Sequence, residues 1–217
     1  MPSSLITPIL RDKKKYCLIC FNEMKINNFH TLFHKDINIC EKCFSLLGPI
    51  RKSVKVDGVK GEYLFTYSDL MKEKIYTLKG CGDIELAKAF LNYFKDELIS
   101  RYRGYLIIPA PSETSSDQER GFNHVMEIFR VLNLSFLPLI KKKVNYKQSD
   151  LSKEERAQVI NKLSISNLEK IHAKKILFVD DISTSGATLK ACLSLIKKGQ
   201  PKKLHFVIVA KVIDTHK

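Results

Sequence analysis

Ile176-Leu177-Phe178-Val179-Asp180-Asp181-Ile182-Ser183-Thr184-Ser185-Gly186-Ala187-Thr188 is the stretch that decides the fold. Its apolar start suits a strand buried on both faces in the middle of a parallel sheet. Such sheets bind ligands beyond the carboxyl ends of their strands, which is where Asp180 and Asp181 stand. Two adjacent carboxylates are costly to bury unless hydroxyls or a cation meet them. Small and hydroxylated residues then lead into a helix. Gly186 permits close backbone approach, Ser183, Thr184, Ser185 and Thr188 offer hydroxyls, and the free N–H groups at the helix start, around Ala187, favour an anion. Acids for vicinal sugar hydroxyls or a hydrated Mg²⁺, followed by a phosphate nest, make a ribose-5-phosphate site. The plainer alternative is a Ser or Thr N-cap after an acidic turn.

Working outward, Lys175–Val179 reads as a strand ending in the two acids, Gly186–Lys198 as a helix and Leu204–Val212 as the last strand. Upstream, Tyr105–Pro109 is a short apolar strand. Val54–Val56 and Glu62–Tyr67 read as a hairpin around Asp57-Gly58 and Gly61. Ser68 or Asp69 caps a helix through Leu78. Asp83 caps another, with Ile84, Ala87, Leu91, Phe94 and Leu98 on one face. Val125, Met126, Ile128, Phe129 and Leu132 share a helical face, and Phe136–Ile140 is a candidate strand. A charged helix is expected from about Lys153. This alternation predicts an α/β fold, a parallel sheet with helices on both faces.

The N-terminal part is of another kind. Cys17-x-x-Cys20 and Cys40-x-x-Cys43 are separated by nineteen residues, the spacing of a four-cysteine zinc module. Four thiolates fill a tetrahedron and leave no position for water, so the zinc is structural. His30 or His34 could replace one cysteine. Gly48-Pro49 is a breaker, giving a zinc-binding module at 1–50 and the α/β domain at 51–217. Cys192, in an apolar helical stretch, reads as core filler, and Cys81 has no assigned role.

The formal net charge of +14 over 217 residues allows a polyanionic partner such as nucleic acid or an anionic membrane surface, and equally a merely lysine-rich, soluble chain. No apolar run is long enough for a transmembrane helix. Met1–Arg11 lacks the basic start and cleavage site of a signal peptide; a cytoplasmic protein is expected. Lys141, Lys142, Lys143, Tyr146 and Lys147 form a basic segment with one aromatic. It reads as a lid over pyrophosphate, a track for single-stranded DNA or a solvated lysine run. Ser112 and Arg120, after the Tyr105–Pro109 strand, are candidate pyrophosphate contacts, with Asn123 orienting the loop and Lys79 a further cation. Arg120-Gly121 also reads simply as a helix entry.

The acid pair and the small loop resemble the signature of type I phosphoribosyltransferases. That resemblance implies that Asp180 and Asp181 hold the ribose hydroxyls of phosphoribosyl pyrophosphate and that Thr184 through Thr188 hold its 5′-phosphate, with Mg²⁺ bound alongside. The order narrows it. Four cysteines come first, then Leu78-Lys79-Gly80, Ile108-Pro109-Ala110-Pro111 and Arg120-Gly121-Phe122-Asn123. Gln148-Ser149-x-Leu151-Ser152 with Arg156 and the phosphate loop follow. Over nearly the whole chain this resembles the ComF family of bacterial competence proteins. Ser185 stands where threonine is commoner and keeps the hydroxyl. Membership implies a role in natural transformation: handling incoming single-stranded DNA at the cytoplasmic face of the membrane, beside a helicase-like partner. An active phosphoribosyltransferase of nucleotide metabolism or salvage is the competing expectation.

Overall fold

The computed structural model describes residues 14–24, 37–112, 114–142 and 163–213. Five strands form the central sheet: β3 (Pro49–Val56), β4 (Val59–Thr66), β5 (Leu106–Pro109), β8 (Lys175–Ser183) and β9 (Lys203–Lys211), in the order β3-β4-β9-β8-β5. β4, β9, β8 and β5 run parallel, and β3 pairs antiparallel with β4 at one edge. Two short pairs stand apart: β1 (Lys15–Tyr16) with β2 (Glu23–Met24), and β6 (Ile140–Lys142) with β7 (Leu163–Ile165).

Alternation along each strand divides the apolar residues into two cores. Leu177 and Val179 of β8, with Val207 and Val209 of β9, face one side. There they meet Met71, Ile75 and Leu78 of α2 (Asp69–Gly80), Leu98 of α4 (Lys95–Arg101) and Val125, Ile128 and Phe129 of α6 (His124–Phe129). Ile176, Phe178, Phe206 and Ile208 face the other side, against Leu189, Cys192, Leu193 and Ile196 of α7 (Ala187–Lys197). Cys192 is fully buried, as its apolar setting suggests. The cysteine module joins the first core, because Cys17, Ile39, Cys43 and Leu47 belong to it with Leu64 and Phe65. β3 follows one residue after the turn that ends α1 (Glu41–Leu46), so sheet and module meet without a linker. No helix among the described residues is long and apolar enough to cross a membrane.

Several expected elements take a different form. The helix read from Asp83 is broken into a 3-10 turn (Ile84–Leu86), α3 (Ala87–Phe90) and α4, with turns at 91–94. The break lies where the module docks. Asn92 accepts from the Asn38 N–H at 3.0 Å, the Tyr93 hydroxyl donates to the Ile39 carbonyl, and the Tyr93 ring stacks on Phe44 at 4.1 Å. Tertiary contacts here override helical periodicity. Phe136 makes a single bridge to Ile107 rather than a strand. The hairpin strands are longer than their apolar cores suggest, and β8 does not stop at the acids but continues through Ser183, paired with Lys211. The charged helix expected from Lys153 lies outside the described residues.

Gly61 is required by packing. A Cβ there would lie 2.4 Å from the ring of fully buried Phe206. Gly61→Ala is therefore expected to destabilise the fold by about 1–3 kcal/mol, the usual range for overpacking. A thermal melt of the purified variant, several degrees below wild type, is the check.

Candidate functional site

β8 carries Asp180 and Asp181 to the carboxyl edge of the sheet. Successive strand residues point to opposite faces, so the two acids have different surroundings. Asp181, buried, faces the helices: its Oδ2 is ion-paired with Lys79, near the C-terminus of α2, and lies 3.6 Å from His124 Nε2 at the start of α6. Burial pushes its carboxyl upward, but His124 and Lys79 outweigh this and hold it well below the ordinary range. Asp180 lies between that cavity and the loop leading to α7. Burial, reinforced by the charge of Asp181, raises its pKa well above the ordinary value. The like-charged pair is thus split into one firmly ionised acid and one that resists ionisation.

A cavity of about 230 Å³ opens at the pair, lined by Lys79, Ser112, Arg120, His124 and Lys142 among others. One wall is organised by Asp117 of α5 (Thr114–Arg120), which accepts from Ser112 Oγ, from Asn123 Nδ2 at 2.8 Å and from Arg120 at 2.6 Å. Burial raises the Asp117 pKa, but these three donors more than offset it, and the net shift is downward. Asn123 Oδ1 also caps α6 through the Met126 N–H at 2.9 Å, so one side chain fixes both the helix start and the Ser112 loop. Arg120 in addition donates to the Lys79 carbonyl at 3.3 Å.

A smaller hollow of about 30 Å³ adjoins at Asp180, lined by Ser183, Thr184, Gly186, Ala187 and Thr188. Gly186 has φ +79°, where other residues are strained, and its shape turns the first N–H groups of α7 toward the hollow. Ser185 Oγ accepts from the Ala187 N–H at 3.4 Å. Ser183 is buried at the strand end, with no hydrogen-bond partner for its hydroxyl among the described residues. Lys211 donates to the Thr184 carbonyl.

Ser112, Arg120, Asp181 and the predicted loop residues other than Ser185, which lines neither, therefore fall into two adjoining hollows that share Asp180. Lys142 reaches the larger one, and Lys141 is exposed beside it. Lys143, Tyr146, Lys147, Gln148, Arg156, His30 and His34 lie outside the described residues. Sequence reasoning missed Asp117 and His124. The signal for His124 was a polar residue directly after Arg120-Gly121-Phe122-Asn123 at the head of an apolar helical face. For Asp117 it was the three-residue spacing to Arg120.

The four cysteines converge as their spacing demands: all four Sγ atoms lie within 4.8 Å of one another, and Cys20 and Cys40 are 3.8 Å apart. A tetrahedron with metal–sulfur bonds of about 2.3 Å has edges of about 3.8 Å, so the cluster fits a four-thiolate metal. Backbone N–H groups of Ile19 and Cys40 donate to Cys17 Sγ at 3.4 and 3.3 Å. Burial raises the Cys17 thiol, yet these and neighbouring donors bring it down to about 7.

Residues 118–217 match the family model described as a phosphoribosyl transferase domain. The chain is 30% identical over 145 residues to competence protein ComFC of Streptococcus pneumoniae, covering 67% of this chain and 65% of that protein, just under two thirds of its length. It is 29% identical over 203 residues to competence protein ComFC of Bacillus subtilis, covering 88% and 82%. Among solved structures, a hypoxanthine phosphoribosyltransferase from Staphylococcus aureus superposes with a TM-score of 0.36 at 19% identity, over 58% of this chain and 62% of the other.

The split acid pair yields two expectations of opposite sign. Asp180 has a raised folded pKa, so the unfolded chain gives up that proton more readily and stability falls as pH rises above the ordinary carboxylate range. Asp180→Asn should therefore raise the melting temperature at neutral pH. Asp181 has a lowered folded pKa, which contributes stability above the ordinary range that is lost only as pH falls through the folded value. Asp181→Asn should lower the melting temperature. Each effect is of the order of 1 kcal/mol, read from melts of the two variants at neutral pH.

Proposed function

Because this chain is a ComFC-like protein with a phosphoribosyltransferase-type domain, we propose that it assists single-stranded DNA uptake in natural transformation. It would work at the cytoplasmic face of the membrane with a helicase-like partner, and hold phosphoribosyl pyrophosphate in the two adjoining hollows. The observation that carries the ligand reading is the division of polar groups around Asp180. Hydroxyls and helix N–H groups lie on one side and cations on the other. A 5′-phosphate suits the hollow at Thr184–Thr188. The ribose hydroxyls suit Asp180 and Asp181, and the pyrophosphate suits Ser112, Arg120, Lys79 and Lys142.

In this reading Asp181 enters the complex already ionised, aligned by His124, while Lys79 is free to turn from it toward an incoming pyrophosphate. Asp180 gains its charge when a hydroxyl or cation arrives. The pair suits a hydrated Mg²⁺, which when bound would neutralise the pyrophosphate of the ligand. Zinc fits the cysteine cluster as a structural ion; Cys17, Cys20, Cys40 and Cys43 complete its coordination, and it would tie β1 and β2 to α1. Lys79 and Arg120 beside the pyrophosphate position favour a second reading, in which a transfer reaction occurs and these cations stabilise the leaving group.

Calorimetric titration with phosphoribosyl pyrophosphate and Mg²⁺ tests the ligand site. Wild type is expected to bind. Asp180→Ala combined with Asp181→Ala should weaken binding by at least about tenfold, given the strength of charge-assisted hydrogen bonds, while the variant stays folded. Equal affinity in the double variant would return the loop to a simple helix cap. Elemental analysis should find one zinc per chain, and Cys40→Ser should lose it and melt earlier.

A further inference from the structure

The largest of the three cavities described is not at the acid pair but at the opposite, amino-terminal edge of the parallel strands. It measures about 450 Å³ and is lined by Ser53, Lys55, Lys60, Arg101, Tyr102 and His205, among others. Its floor is the sheet itself, on the face that the helices cover further along. Lys55 pairs directly with Lys60, and Lys60 with His205. Three cationic or titratable side chains thus stand in a row across three strands, about 4.8 Å apart. The same face continues to Lys203, which pairs directly with Lys175.

Like charges directly opposite on neighbouring strands are destabilising, and here they occur twice. None of Lys55, Lys60, Lys175 and Lys203 has a carboxylate partner among the described residues. The acid at the cavity, Glu62, is buried and fully engaged by Arg51 at 3.2 Å, Arg101 at 2.9 Å and the Tyr102 hydroxyl at 3.2 Å. The His205 imidazole registers the resulting field. Burial lowers its pKa, and Lys203, Lys60 and Arg101 lower it further, against a smaller upward pull from Glu62. Its ring stacks on Tyr105 at 5.7 Å and meets Tyr102 edge-on at 6.0 Å.

The geometry points to this basic sheet edge as a second binding surface, one that takes the phosphodiester backbone of single-stranded DNA. The inference rests on the reading that the chain handles such DNA, and adds where the strand lies. Three features select the occupant. The cations form a row several strands long, which matches an extended polyanion rather than one small phosphate. Except along the outer edge of β3, the backbone N–H groups of these strands are committed to the ladder, so the sheet floor of the cavity offers no nest for a single anion. The half-buried His205 ring stands beside the lysines and offers an aromatic surface that suits a base of any sequence, while Tyr102 is buried and held by Glu62. A lipid surface fits less well, because none of the large exposed apolar side chains among the described residues (Tyr16, Phe21, Leu46, Tyr76, Ile84 and Ile213) lines the cavity. The strand would pass the sheet at the end remote from the phosphate loop, so both ligands can be held together.

The test is fluorescence anisotropy of labelled oligo-thymidine with the full chain over a range of salt. Wild type is compared with a Lys55→Ala, Lys60→Ala, Lys203→Ala variant. Three lost phosphate contacts should flatten the slope of log affinity against log salt by about 2, at about 0.7 per contact, while phosphoribosyl pyrophosphate binding stays unchanged and the melt, relieved of both lysine pairs, holds or rises. A wild type that binds with a slope the variant retains overturns this surface and leaves the wider DNA reading standing. A wild type that does not bind oligo-thymidine overturns both. If the variant keeps its DNA affinity but loses binding to phosphatidylserine vesicles, the surface belongs to the membrane and the inference fails. Should the variant not fold, photo-crosslinking of wild type to halogenated-uridine oligonucleotide decides. Adducts within 53–62 or 203–205 support the surface, and adducts confined elsewhere overturn it.

Discussion

Two neighbouring residues on a β-strand must face opposite ways, and the site of this protein depends on that constraint. Because Asp180 and Asp181 are adjacent on β8, the sheet itself separates their environments. Asp181 is turned to Lys79 and His124, and Asp180 to the loop that opens α7. Equivalent side chains on a flexible loop would relax toward similar surroundings. Here the ladder on both sides of β8, and two apolar cores beneath it, hold the difference in place. The carboxyl edge therefore presents a fixed negative charge next to a group that awaits a partner.

The elements around the pair extend this division of labour. On the helix side, a single carboxylate, Asp117, gathers Ser112, Asn123 and Arg120, and Arg120 reaches on to the Lys79 carbonyl. One continuous chain of hydrogen bonds thus links the loop after β5, the head of α6 and the end of α2. On the other side the backbone does the work, through the left-handed turn at Gly186 and the amino-terminal N–H groups of α7. Side-chain cations and backbone dipoles are two ways of meeting anionic groups, and the structure uses one on each flank.

Much of this was legible in the sequence because local signals and tertiary structure agreed there. The apolar run before the acids, the glycine at the helix entry and the doubled cysteine spacing each describe an environment only a few residues long. What escaped was set by distant partners. The helix after Asp83 breaks at Asn92 and Tyr93 because both bond to the cysteine module some fifty residues earlier. β3 extends past its apolar core because it is an edge strand, and its lysines carry little apolar alternation. His124 looked like one more residue of an amphipathic helix until Asp181 stood beside it.

The cysteine module has a standing that its small size conceals. Phe44 stacks on Tyr93 and also lies against Phe65 and Phe94, while Leu47 is sealed in the same core. A chain cut before Pro49 would leave that aromatic cluster facing water. The module is therefore not a cassette that recombination or a protease could detach and leave a working remainder. It acts as the keystone of one half of the sheet, so an ion held by its four thiolates would tie the firmness of that half to the metal supply around it.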